Sequence, residues 1–189
     1  KKNGSIFVRN DQHPRRSTTL EHLHKIRAPF RENGTVTAGN SSGVNDGAAA
    51  VILATAAAAR KHGLTPIAKF LGGAASGVLP RIMGIGPVSA IRVLLQRLKL
   101  DQQDFGVFEL NEAFAAQSLA TLKQLGIEFD DNRVNPNGGA IALGHPLGMS
   151  GTRIAGTAAL ELSEQKTKRA LAAMCVGVGQ GIAIAIEAV

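Results

Sequence analysis

The chain has no tryptophan and no tyrosine, and seven phenylalanines are its only aromatic side chains. Nucleic-acid-binding surfaces that stack bases interleave aromatics with basic residues. The basic segment here offers only Phe7 and Phe30, so no nucleic-acid partner is expected. A single cysteine, Cys175, excludes an internal disulfide framework and fits a reducing, cytoplasmic compartment. No apolar run approaches the roughly 20 residues that a bilayer span requires. The Ala-rich stretch 48–59 is too short and ends in Arg60-Lys61-His62, so no membrane partner is expected, and no signal peptide is visible. No metal site is expected either.

What is present is a chain of 189 residues, 44% hydrophobic, with 22 glycines. That suits one domain or slightly more, an α/β composition packed with small aliphatics. The net charge of +7 is unevenly placed. Residues 1–31 carry Lys1, Lys2, Arg9, Arg15, Arg16, Lys25, Arg27 and Arg31 against Asp11 and Glu21, while the rest is near balance. Such a segment is either a solvated arm or a contact for a polyanionic ligand.

Hydrophobic periodicity and turn residues organise the remainder. Residues 19–25 read as a short helix, 46–54 as a short buried strand, and 55–63 as a helix closed by Gly63. A strand over 67–75 precedes an amphipathic helix over 87–100, with Pro87 in its first turn. A strand over 105–110 leads into a helix over 112–124 that stops at Gly126. A helix over 149–162 and strands over 169–176 and 181–189 complete the chain. This alternation predicts an α/β fold, a mixed, mostly parallel sheet covered by helices on both faces. The last two strands, joined by a short glycine turn, should pair antiparallel.

Three segments concentrate chemistry. Asn135-Pro136-Asn137-Gly138-Gly139-Ala140-Ile141-Ala142-Leu143-Gly144-His145-Pro146-Leu147-Gly148 places one histidine among four glycines and two prolines. Glycine lets the backbone approach another group closely, and a histidine on such a loop exchanges protons near neutral pH; a tight structural loop is the plainer reading. In Phe108-Glu109-Leu110-Asn111-Glu112-Ala113-Phe114, Asn111 and Glu112 fall where a strand ends, a position at which α/β proteins collect functional groups. Asn111 also reads as a helix N-cap, and Glu112 as a carboxylate favouring its helix dipole. Met174-Cys175-Val176-Gly177-Val178-Gly179-Gln180-Gly181 sets Cys175 before alternating glycines that bare backbone N–H groups, although a lone cysteine is commonly a small buried hydrophobe.

Together these segments resemble the carboxy-terminal half of a thiolase, the enzymes that make or cleave 3-ketoacyl-CoA. Thr35-Val36-Thr37-Ala38-Gly39-Asn40-Ser41-Ser42-Gly43-Val44-Asn45-Asp46-Gly47-Ala48-Ala49 and Met83-Gly84-Ile85-Gly86-Pro87 reinforce the likeness, which runs from about Thr35 to Val189. Arg81–Pro87, Glu109–Asn111 and Val178–Gly181 look most like the branch that acts on 3-oxoadipyl-CoA. The resemblance implies a thiolase-like fold in which residues 1–45 end a basic loop domain. Residues 46–66 form a strand and helix that pack on an amino-terminal half, and 67–189 form the carboxy-terminal domain. Thiolases are longer, and their acyl-accepting cysteine lies in that amino-terminal half, so the chain is expected to be a fragment. It begins at Lys1 without methionine and is expected to be inactive alone.

The same resemblance assigns roles. His145 activates the nucleophile and donates to the thioester oxygen, while Asn111 holds a water that is the second donor. Cys175 exchanges the α-proton and deprotonates the CoA thiol, and the Gly177 N–H donates to the acyl-enzyme oxygen. Ala38 and Ser42 contact the pantetheine arm, and Met83 and Phe114 wall the thioester tunnel; core packing is the alternative for both. Arg15 or Arg16 would meet the CoA phosphates. Coenzyme A and acyl-CoA are substrates, no cofactor is permanently bound, and the complete enzyme is expected to be a cytoplasmic homo-oligomer. The rivals are a general acetyl-CoA acetyltransferase and a non-catalytic CoA-binding module. A Cys-His-Asn hydrolase is disfavoured because Cys175 ends a strand, away from a helix amino terminus. A dinucleotide site is disfavoured because Gly84-Ile85-Gly86 and Gly177-Val178-Gly179 lack the third glycine.

Overall fold

The structure, a computed structural model, describes residue 4, residues 7–11 and residues 13–189. Lys1 and Lys2 of the basic segment lie outside the described residues. Among the described residues, six α-helices and four strands follow in the order α1 (Leu20–Lys25), α2 (Ala56–Lys61), β1 (Lys69–Gly77), α3 (Gly86–Leu98), β2 (Val107–Leu110), α4 (Ala115–Leu125), α5 (Ala140–Leu143), α6 (Ser150–Glu164), β3 (Arg169–Val176) and β4 (Gln180–Glu187). Short 3₁₀ turns at Pro80–Ile85 and Gln102–Asp104 precede α3 and β2. Thr19 and Thr55 cap α1 and α2 by accepting from His22 N and Ala58 N, which satisfies an otherwise orphan donor in each first turn.

The four strands form one mixed sheet in the order β1-β4-β3-β2. β2 pairs parallel with β3, from Val107↔Ala170 to Leu110↔Ala173. β4 returns antiparallel to β3 and is itself antiparallel to β1. Thus β1, β2 and β3 point one way and β4 alone opposes them, with the last two strands antiparallel as expected. The expectation of a mostly parallel sheet holds for strand direction but not for the ladders. β4 inserts between β1 and β3, so two of the three ladders are antiparallel.

Period-2 alternation sends successive side chains to opposite faces. Phe108, Leu110, Leu171 and Ala173 join Ile91 and Leu94 of α3 and Leu122 of α4 in one core. Val107, Ala170, Ala172 and Ile186 join Ile154, Ala158 and Leu162 of α6 in a second. Each fully buried aliphatic of this size contributes about 1.5–3 kcal/mol relative to an exposed one. Both faces are therefore covered by helices.

Residues 46–54 depart from expectation. They form neither strand nor helix, and Val51, Ile52 and Leu53 are 50%, 84% and 85% exposed. A strand exists only where another strand satisfies its backbone, and among the described residues none pairs with this segment.

Candidate active site

Asn111 lies just beyond β2, its N–H donating to Ala173 O at 3.0 Å and extending the ladder to β3. It is not a helix N-cap: α4 begins at Ala115, with Phe114 as its N-cap. Between β2 and α4 the chain meets another segment: Ser42 N and Oγ donate to Ala113 O at 3.0 and 3.2 Å, and Ala115 N donates to Asn40 O at 2.9 Å. Asn111 is fully buried, and its Nδ2 lies 3.3 Å from His145 Nε2. Its Oδ1 is buried without a hydrogen-bond partner.

The His145 loop is held from both sides. His145 N donates to Gly43 O at 3.0 Å and lies 3.3 Å from Asn45 Oδ1. Glu112 also caps a helix other than its own: Oε2 accepts from Ile141 N in the first turn of α5 at 3.1 Å, and Oε1 from Asn135 Nδ2 at 3.1 Å. A Cβ on Gly139 would fall within the Glu112 carboxyl group, so only glycine permits that approach. Gly144 takes φ 96°, which turns the chain out of α5 and into His145. His13 Nε2 lies 3.1 Å from Ile141 O and braces the loop from the basic segment.

His145 is 9% exposed, and its Nδ1 lies 2.6 Å from Ser150 Oγ. The Ser150 hydroxyl donates its one proton to Pro146 O at 3.0 Å. Toward the imidazole it can therefore only accept, which puts the ring proton on Nδ1. Nε2 is left with its lone pair directed at the Asn111 amide. Burial, and secondarily the positive charge of Arg153, hold the imidazole below its usual pKa, so the neutral, proton-accepting form is favoured.

Cys175 is buried near the end of β3, and the parallel register of β2 and β3 puts it at the same end of the sheet as Asn111 and Glu112. Burial pushes its thiol above the usual range, against a backbone hydrogen bond that favours the thiolate. Gly177 is exposed in the three-residue turn that follows. There Val178 adopts φ 67°, a conformation that a β-branched residue keeps only when its surroundings impose it.

The remaining sites group less tightly. Ser42 belongs to the segment that joins residues 113–115 to His145, with its hydroxyl already engaged by Ala113 O. Half-buried Phe114 stacks edge-on against Phe30, centroids 6.2 Å apart. Half-buried Met83 sits on the 3₁₀ turn that packs on α4, where Thr121 Oγ1 lies 3.5 Å from Gly84 O. Ala38 is exposed in a turn.

Three participants escaped sequence reasoning. Ser150, five residues past His145, opens a helix and looks like an ordinary helix-start serine. Glu109 and Arg153 form a buried pair, Oε2 to Nη1 3.5 Å, between β2 and α6. A glutamate inside an otherwise apolar strand was the available signal for it.

Comparison with known proteins follows the same lines. Residues 64–188 match the family model "Thiolase, C-terminal domain", and residues 1–57 match "Thiolase, N-terminal domain". The chain is 60% identical over 186 residues to a beta-ketoadipyl-CoA thiolase of Pseudomonas aeruginosa, covering 98% of this chain and 46% of the relative. It is 56% identical over 182 residues to a 3-oxoadipyl-CoA/3-oxo-5,6-dehydrosuberyl-CoA thiolase of Escherichia coli, covering 96% and 45%. The crystal structure of human mitochondrial 3-ketoacyl-CoA thiolase in complex with CoA superposes with a TM-score of 0.89 at 48% identity, over 96% of this chain and 46% of that one. The chain spans about half the length of the curated relatives it matches.

Proposed function

The chain belongs to the thiolase family, and from that premise we propose that it supplies the acid/base machinery of an enzyme cleaving 3-oxoadipyl-CoA with coenzyme A. The observation that carries this reading is the buried Asn111–His145–Ser150 chain, which presents an unprotonated Nε2 beside an unpartnered amide oxygen. Thiolysis needs a base for the attacking thiol and donors for the oxyanion that follows.

Cys175, the sole cysteine of these residues, takes the acid/base role, so the acyl-accepting thiol comes from outside them. His145 Nε2 removes the proton of that thiol, and the thiolate adds to the 3-keto carbon. The imidazolium Nε2–H and a water on Asn111 stabilise the oxyanion. Collapse breaks the bond between the α-carbon and the carbonyl, and the electron pair leaves on the enolate of acetyl-CoA. The Cys175 thiol protonates that carbon, releasing acetyl-CoA. The resulting Cys175 thiolate takes the proton of incoming CoA, whose sulfur displaces the acyl group as succinyl-CoA while Gly177 N–H donates to the carbonyl oxygen. His145 returns its proton to the liberated thiolate. A thiol pKa raised by burial keeps Cys175 protonated until the enolate forms, and makes its thiolate the stronger base for the proton of CoA.

Ala38 and Ser42 then line the pantetheine path, and Met83 and Phe114 the thioester tunnel. The preference for 3-oxoadipyl-CoA is supported by the names of the two bacterial relatives. The test is Cys175→Ser in a complete enzyme carrying this chain. Turnover is expected to fall by about 10²–10⁴-fold, with acyl-enzyme accumulating at the other cysteine by intact mass; near-normal turnover would refute the role of Cys175. Comparing kcat/KM for 3-oxoadipyl-CoA and acetoacetyl-CoA tests the substrate, and a preference for acetoacetyl-CoA would make a general acetyltransferase the better reading.

A further inference from the structure

Behind the Asn111–His145–Ser150 chain lies a second pair of the same parentage. Glu109 stands two residues before Asn111, so strand periodicity puts both on the face of β2 that meets α6. Arg153 stands three residues after Ser150, on the same face of α6, where Cβ atoms at that spacing are about 5–6 Å apart. The two pairs therefore run side by side between the same strand and the same helix, one of them ending at the imidazole.

This second pair is sparsely engaged. Glu109 is 1% exposed in its side chain and Arg153 14%, and a single 3.5 Å contact joins them. Glu109 Oε1, Arg153 Nε and Arg153 Nη2 are buried without hydrogen-bond partners. A guanidinium is ionised at any working pH, and one shielded from water and held by a single contact keeps much of its field in the surrounding low dielectric.

The geometry points to Arg153 as a positioning residue for His145: its guanidinium, anchored by Glu109, keeps the imidazole uncharged and able to accept a proton at Nε2. This rests on the reading of His145 as the proton acceptor. Other charged or titratable groups border the site. Glu161 lies two turns further along α6, Glu112 follows β2, and Asp46 adjoins Asn45. Cys175 comes from β3, and His13 reaches Ile141. Glu161 is engaged by Asn137 and Gln165, and Glu112 by Asn135 and Ile141 N. Besides burial, Arg153 is the influence that lowers the His145 pKa.

NMR titration of ring-labelled histidine in the 189-residue chain reads the His145 midpoint without any turnover, with His145→Gln assigning the resonance. Arg153→Gln is expected to raise the midpoint, and Arg153→Lys, which retains the charge, to leave it low. An unchanged midpoint in Arg153→Gln, or an equal rise in both variants, would overturn the inference. If Arg153→Gln leaves Glu109 unpaired and the chain unfolded, the double variant Glu109→Gln/Arg153→Gln sets two amides against each other. It is compared with Glu109→Gln alone: a higher midpoint in the double variant supports the role, and equal midpoints refute it. An Arg153-dependent midpoint in an enzyme without thiolase activity would keep this inference and sink the functional reading. Thiolase activity with an Arg153-insensitive midpoint would do the reverse.

Discussion

The two faces of the sheet are built from the same strands and obey opposite rules. Toward α3 and α4, β2 sends Phe108 and Leu110 into a core that is aliphatic and aromatic. Toward α6, the same strand sends Val107, then Glu109, and beyond its end Asn111, to meet Ile154, Arg153 and the Ser150–His145 pair. Alternation along four residues thus separates a face that stabilises the fold from one that carries polar chemistry. The second face bears a cost, since burying an unpaired polar atom costs about 1–3 kcal/mol, and Glu109, Asn111 and Arg153 all carry such atoms. A chain that keeps this arrangement is using it for something other than stability.

Changing each face in turn tests that division. His145→Ala should have the largest effect, a loss of acylation on the order of 10⁴-fold or more, because a base and an oxyanion donor vanish together. Thermal stability should change little, and a large loss of stability would show that the polar face holds the fold. Phe108→Ala should do the opposite, lowering unfolding free energy by about 3–5 kcal/mol, as denaturant titration would read. Retained stability there would erase the distinction.

Glu109→Gln probes the cost of the polar face through pH. Burial, only partly countered by Arg153, pushes the Glu109 carboxyl from 4.5 up to about 7. The folded state therefore holds a proton that the unfolded state has lost between those two values, so stability falls as pH rises through that window. The difference amounts to roughly 3 kcal/mol at most, by 1.36 kcal/mol per unit. Glu109→Gln should abolish this slope, gaining on the parent chain from about pH 4.5 to 7 and running parallel above it. A gap between the two that does not vary with pH would contradict this. Asn111→Ala should be the mildest, about 10²-fold in turnover, as it removes one donor and leaves the base. Loss equal to that of His145→Ala would merge their roles.

The apolar face was the legible one. Helical spacing in residues 87–100 and the apolar run at 105–110 anticipate α3 and β2 within two residues, because one buried stripe dictates the helix and burial on both faces the strand. Ladder direction was less accessible, since nothing local in residues 67–75 says that β4 will lie beside them. The polar loops were legible by residue type but not by partner. Asn111 and His145 stand out in the sequence, yet their contact, and the Ser150 proton that decides the imidazole tautomer, exist only once α6 is packed. Glu112 shows the same gap: its carboxylate serves a helix start, but that of α5, which four residues were too few to announce.

The unpaired segment 46–54 has a consequence at the bench. Ala48-Ala49-Ala50-Val51-Ile52-Leu53-Ala54 carries no charge and no proline, and it makes no backbone hydrogen bond to the described residues. Free main-chain donors and acceptors beside exposed branched side chains are a template on which a like segment can align. These seven residues therefore offer a site for self-association that the net charge of +7 opposes. Its tolerance of concentration should rise when Ile52 alone is exchanged for lysine.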